Sequence, residues 1–339
     1  MDQLAATNQQ RRQFPGFTEM AISPFSFFLL AALATLRAAN DAVADWIAKV
    51  LRGRRETKRI RAIQAALICW IGSIHAATAE QPAPTTISKA SQNENGFLVH
   101  QVRSPYQAGM TQIKVLVPSR LEPNRKYPVV YILPVEAANE YRWGNGLLAA
   151  KKAELHERHQ VILVSPTFSH LPWYADHPTD LSIRQESYFV RVVVPFIDRS
   201  YPTKADASGR SLAGFSKSGW GAFSLLLRHE KLFERAAAFD SPLAQERPNQ
   251  FGMGPIFGTQ ANFKQYQITE LLKEHAPQVR KRNRFILLGY RSFRAHHQQV
   301  HSVMLQLGIE HRYRDGSERE HHFDGSWLPE AVLLLLESS

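Results

Sequence analysis

Five apolar runs mark the chain from residue 127 to 290: "YPVVYILP" (127–134), "QVILVSP" (160–166), "GRSLAGF" (209–215), "RAAAFDSP" (235–242) and "RFILLGY" (284–290). They lack the strict apolar–polar alternation of a strand with one wet face, so they read as strands covered on both sides. Between them lie amphipathic helical stretches, among them "WGNGLLAAKKAELHERH", "RQESYFVRVVVPFIDRSY", "SGWGAFSLLLRHE", "FKQYQITELLKEHA" and "HHQQVHSVMLQLG". Parallel neighbours need crossovers of that length, whereas antiparallel ones can be joined by a tight turn. Two earlier strand candidates (96–102 and 111–118) and a late one (310–315) complete the set. The pattern predicts an α/β fold: a mostly parallel central sheet of about eight strands, antiparallel at its start, with helices on both faces. It argues against a sandwich, a helical bundle or a repeat array. No internal repeat or domain boundary interrupts residues 96–339, which we take as one domain.

The charge of +11 over 339 residues raises the question of nucleic acid. Residues 1–79 hold +5 of it, and the rest is spread without a basic run interleaved with aromatics. That distribution gives nucleic-acid binding little support. The basic tract "RGRRETKRIR" (52–61) is followed by apolar "AIQAALICWIGSI" (62–74) and then by small residues, Ala77 and Ala79 among them. This is the order of an export signal, with 62–74 as its h-region and cleavage after Ala79. A bilayer span takes about 20 apolar residues, so the h-region is too short to be one. Residues 1–79 are therefore read as an N-terminal extension plus signal peptide, and 80–95 as a flexible leader rich in Pro, Ser, Thr and Asn. The expected location is the periplasm or the extracellular space of a bacterium, or the cytoplasm if 62–74 is instead a buried amphipathic helix. The sole cysteine, Cys69, lies within the h-region, so the mature chain has no disulfide.

The stretch "GRSLAGFSKSGWGAF" (209–223) places Ser216 between an apolar strand and a helix. A nucleophile elbow needs that context, with the serine on a tight turn at the strand's C-terminal end and small residues around it. Gly214 and Gly219 meet the need for close backbone approach, and Ser218 stands where the motif has its last glycine. The Lys217 backbone N–H, at the helix start, suits a developing oxyanion. The plainer alternative is a Gly/Ser turn in which Ser216 caps the helix.

At these residues the chain resembles the putative-esterase (esterase D-like) group of the α/β-hydrolase superfamily. "PVVYILPVE" (128–136) is similar to that group's third strand and oxyanion loop, "SHLPWYAD" (169–176) to its Ser-x-x-x-Trp-Tyr segment, and "GFSKSGWGAF" to its elbow. "HHFDGSWLPEAV" (321–332) is similar to its C-terminal histidine segment. The resemblance covers residues 96–337 and implies a serine esterase that works through an acyl-enzyme without a cofactor. It assigns the nucleophile to Ser216 and the general base to His321, with His322 as the competing base. Oxyanion donors are expected from the Lys217 backbone and from that of Val135 or Glu136. Trp173 and Tyr174 are expected to line the substrate pocket.

The acid departs from the group's pattern. The carboxylate usually follows the strand before the histidine loop, but "RFILLGYRSFRAHH" holds no Asp or Glu. Asp240, ending the strand after the nucleophile, opens on the same crevice and is the candidate, with Asp324 in reserve. Two rivals remain. His297 and His301, spaced i, i+4 beside His296, His321 and His322, could serve a metallohydrolase, although no H-E-x-x-H is present. An exported hydrolase-like binding protein without activity is the other. The expected partner is a small or polysaccharide-linked acyl ester, with no nucleic acid, no metal and only transient membrane contact during export.

Overall fold

The apolar runs pair into a single sheet, in a computed structural model that describes residues 84–337. Its strands are β1 (Thr86–Ile87), β2 (Ser91–Gln92), β3 (Leu98–Arg103), β4 (Met110–Leu116), β5 (Val129–Leu133), β6 (Ile162–Pro166), β7 (Arg210–Phe215), β8 (Arg235–Phe239), β9 (Phe285–Leu288) and β10 (His311–Arg314). The order is β1-β3-β4-β6-β5-β7-β8-β9-β10, with β2 also pairing β3. From β6 to β10 every neighbour is parallel, while β4 joins β6 and β3 antiparallel. All eight expected strands are present within a few residues of their expected limits.

Helices cover both faces: α1 (Gly146–Lys152), α2 (Leu155–Arg158), α3 (Gln185–Tyr188), α4 (Val194–Ser200), α5 (Lys217–Arg228), α6 (Gly254–Phe257), α7 (Gln260–Lys264), α8 (Ile268–Val279), α9 (Arg294–Gln306) and α10 (Trp327–Leu336). The apolar side chains fall into two clusters, one on each side of the sheet. One gathers Leu212, Tyr131 and Ala238 with Phe223, Leu226, Phe189 and Leu272. The other gathers Ala213, Ile132 and Ala237 with Leu147, Trp327, Val332 and Leu335. Alternate residues of one strand thus serve opposite cores, which is why those strands carry no polar face.

Three details differ from the sequence expectation. The expected flexible leader 80–95 contributes β1 and β2, both antiparallel to β3, from Thr86 onward. The helix expected from Phe263 is broken into α7 and α8 at Gln265–Gln267. The long helix at 184–201 is continuous but widens into a π-turn at Phe189–Val193. Pro195, in the first turn of α4, lacks the N–H that a tighter ladder would need there. The expected extension, export signal and cleavage point lie outside the described residues.

Candidate active site

Phe215 and Phe239, the last residues of β7 and β8, are register partners. Ser216 and Asp240 follow them directly, so two neighbouring strand ends present the hydroxyl and the carboxylate side by side. The Ser216 N–H donates to the Phe239 carbonyl at 3.0 Å, and the Asp240 N–H to that of Leu288 at 2.9 Å. Both residues turn sharply out of the sheet, with φ of 50° at Ser216 and 41° at Asp240. A non-glycine residue held there costs on the order of 1–3 kcal/mol, and it persists only where the surroundings over-determine it.

The surroundings do so at the elbow. A Cβ on Gly214 would lie 2.1 Å from the Ser218 carbonyl oxygen, and one on Gly219 2.7 Å from the Ser241 side chain. Ser218 fits where a glycine was expected because its buried hydroxyl bridges the strand end, donating to the Phe215 carbonyl at 2.8 Å and accepting its N–H at 2.9 Å. Lys217 opens α5. Amides in the first turn of a helix have no intrahelical acceptor, which leaves that of Lys217 free to face an anion.

Asp240 is fully buried, and its two oxygens are divided between two partners. Oδ2 lies 2.6 Å from His321 Nδ1, and Oδ1 accepts the Phe293 N–H at 2.8 Å. Burial pushes this carboxyl up, but the bond to His321 and the Phe293 and Ser292 amides outweigh it and hold it below the usual carboxylate range. Nδ1 facing a carboxylate carries the proton, so Nε2 of the neutral ring is the acceptor. The ring of His321 rests against Phe215, Trp143 and Phe293, with centroids 4.5, 5.2 and 5.7 Å away. The loop is pinned by the Trp327 Nε1–H on the Glu320 carbonyl at 2.7 Å and by the Phe323 N–H on that of Trp143 at 2.9 Å.

His322 turns elsewhere. Its Nδ1 accepts the Asp324 N–H at 3.2 Å, and its ring covers Gly144. Asp324 pairs with His322 at 3.4 Å and takes no part at His321. Val135 and Glu136 follow β5, and the Glu136 carboxylate meets the Lys217 ammonium at 3.4 Å across the site. Trp173 and Tyr174, expected to line a pocket, are instead fully buried. The Tyr174 hydroxyl donates to the Pro134 carbonyl at 2.7 Å, and Gln185 Oε1 accepts both aromatic residues' N–H groups at 2.8 Å. The pair braces the loop after β5 from beneath.

Sequence reasoning missed two contributors. The segment after β9, where the acid was sought, supplies amides that hold Asp240 in place of a carboxylate. His297 is fully buried, and its Nε2 accepts the N–H of Ser241, the residue after the acid, at 2.9 Å. Burial pushes His297 down to about 3, so its ring stays neutral. His301 instead meets His311 at 2.7 Å, and His296 accepts the Ala244 N–H at 3.1 Å. The histidines of the metal rival thus serve different neighbours, and no group of three or more His, Cys, Asp or Glu among the described residues is placed to hold a metal ion.

A family model described as "Putative esterase" matches residues 104–309, more than half of the chain. The chain belongs to that esterase family. The matched residues end before His321. The chain is 26% identical over 145 residues to Esterase Rv1288 of Mycobacterium tuberculosis, a match covering 42% of this chain and 31% of that one. It therefore spans about a third of the length of the curated relatives it matches. Among solved structures it is similar to an S-formylglutathione hydrolase from Agrobacterium tumefaciens, with 17% identity, 74% of this chain and 98% of that chain covered, and a TM-score of 0.55. It is also similar to the fluorophosphonate-binding serine hydrolase F of Staphylococcus aureus, with 11% identity, 74% and 100% covered, and a TM-score of 0.57. These likenesses show that the chain has the α/β-hydrolase fold.

Proposed function

We propose that this esterase hydrolyses carboxylic esters by serine acyl transfer. The observation that carries the reading is the 2.6 Å contact between His321 Nδ1 and a fully buried Asp240, beside a serine held at positive φ on a strand–helix elbow. Ser216 Oγ attacks the ester carbonyl while His321 Nε2 takes its proton. The tetrahedral oxyanion is met by the Lys217 N–H and by that of Val135 or Glu136. Collapse expels the alcohol, which leaves with the proton from His321, and Ser216 stays acylated. Water then attacks the acyl-enzyme, again with His321 as base, and releases the acid. Asp240 keeps the imidazole in the required tautomer and stabilises its protonated form.

The same reading carries export. The basic, apolar and small-residue order of residues 52–79 supports secretion with cleavage after Ala79, and cell fractionation with N-terminal sequencing of the mature chain tests it. The substrate is then an acyl ester, small or polysaccharide-linked, met outside the cytoplasm. Labelling by a fluorophosphonate probe that disappears in Ser216→Ala tests the chemistry. Equal labelling of the variant would overturn it, and no labelling of the intact chain would reopen the non-catalytic reading.

A further inference from the structure

Beside the loop after β5 lies a groove of about 380 Å³ on the outer part of the sheet, lined by β2, β3 and β4. Its lining is dominated by neutral amides, with Asn93, Gln101, Gln112 and Asn139 all facing it. Such side chains present paired donors and acceptors, the complement of vicinal hydroxyls. Tyr141 contributes a half-exposed ring at one wall, suited to the apolar face of a sugar ring.

The groove also holds one nearly buried cation. Lys114 is 7% exposed, and its ammonium bonds only to neutral acceptors, Asn139 Oδ1 at 2.5 Å and the Tyr141 hydroxyl. An ammonium has three donors, so one remains for a ligand. Among the described residues no carboxylate lies within ion-pair distance of Lys114, and Glu94, on the same lining, is exposed. A cation withdrawn from water without a counter-charge is costly, and a ligand anion would relieve that cost.

The groove adjoins the loop after β5. It shares Tyr141 and Asn145 with a small crevice lined by Val135, Glu136 and Phe323. Those residues belong to the loop after β5 and to the histidine loop, two positions beyond His321. We propose that this groove binds a sugar acid: a pyranose whose carboxylate meets Lys114 and whose hydroxyls meet the surrounding amides. The substrate class is then an ester borne by, or adjacent to, a hexuronate unit. This rests on the serine-esterase reading for the reaction, but not for the binding.

The test therefore separates the two. Calorimetry with the full-length Ser216→Ala protein reads binding of methyl glucuronide against methyl glucoside, without turnover. Methyl glucuronide binding about tenfold tighter, as a charge-assisted hydrogen bond supports, is the expected result. Lys114→Gln should bring that ratio close to one, whereas Lys114→Arg should keep most of it. Equal binding of the two glycosides to the unmodified groove would overturn the inference, as would a ratio that Lys114→Gln leaves unchanged. Turnover of acetylated methyl glucuronide and acetylated methyl glucoside by the intact chain then carries the preference into kcat/KM. Loss of p-nitrophenyl acetate hydrolysis in Ser216→Ala is the separate criterion for the serine chemistry.

Discussion

At the scale of single residues the site makes sharp demands. Ser216→Ala should reduce p-nitrophenyl acetate turnover by at least about a thousandfold, as loss of the nucleophile from such a unit does. Asp240→Asn should lower kcat by up to about 10⁴-fold with little change in KM, because an amide favours the wrong imidazole tautomer. His321→Ala should match the serine variant, while His322→Ala, whose ring lies over Gly144, should stay within a few-fold of the parent. Steady-state kinetics on the four proteins decides it, and a severe loss in His322→Ala alone would reverse the roles. Which histidine meets the acid was not legible in the sequence, since neighbours on a loop face different ways and nothing in their spacing says which. Asp240 could be found by elimination, but the two backbone amides that replace a carboxylate after β9 carry no side-chain signature. Trp173 and Tyr174 failed as pocket residues for a similar reason: an aromatic pair reads alike whether it walls a cavity or fills one.

At the scale of elements, the elbow and its flanking helices fix the geometry. Removing the Ser218 hydroxyl in Ser218→Ala orphans the N–H and the carbonyl of Phe215, at a cost of about 1–3 kcal/mol in urea unfolding. Activity should fall by much less than in Ser216→Ala. His297→Leu should likewise orphan the Ser241 amide and loosen the turn that carries Asp240. The expected signature is a lower kcat at nearly constant KM, and an unchanged kcat would mean that the turn holds without it. The strands around this turn were legible because continuous apolar runs of strand length admit few other readings. β1 and β2 were not, because two residues in a Pro-, Ser- and Asn-rich segment are too short a run to carry a strand pattern. His297 entered the sequence reading as a possible metal ligand, and the packing of α9 against β9 makes it internal.

Across the whole molecule, buried ionisable groups make acid the weak direction. Burial pushes Glu186 up, but His229, Arg228 and Tyr266 prevail and hold it at about 2, against an ordinary 4.5. The unfolded chain therefore takes up this proton first, so its stabilising contribution is complete above pH 4.5 and drains away as pH falls toward 2. His297 acts in the same direction: unfolded, it is protonated below 6.5, whereas the folded ring resists down to about 3. Stability from urea titrations should fall steadily below pH 6.5. His297→Leu should flatten the upper part of that decline and Glu186→Gln the part below pH 4.5. Curves parallel to the parent's would refute both assignments.

Ser216 and Asp240 are tethered to the hydrogen-bond ladder of the sheet, whereas His321 arrives on a loop that hydrogen bonds of Trp327 and Phe323 help to hold down. Time therefore enters the chemistry. On the proposed mechanism, a ribosome that has finished β9 has made the proposed nucleophile and acid but not the base, so the nascent chain should lack hydrolysis until the closing loop and α10 emerge and dock. Refolding should follow the same order, with the signal of the sheet returning first and hydrolysis last.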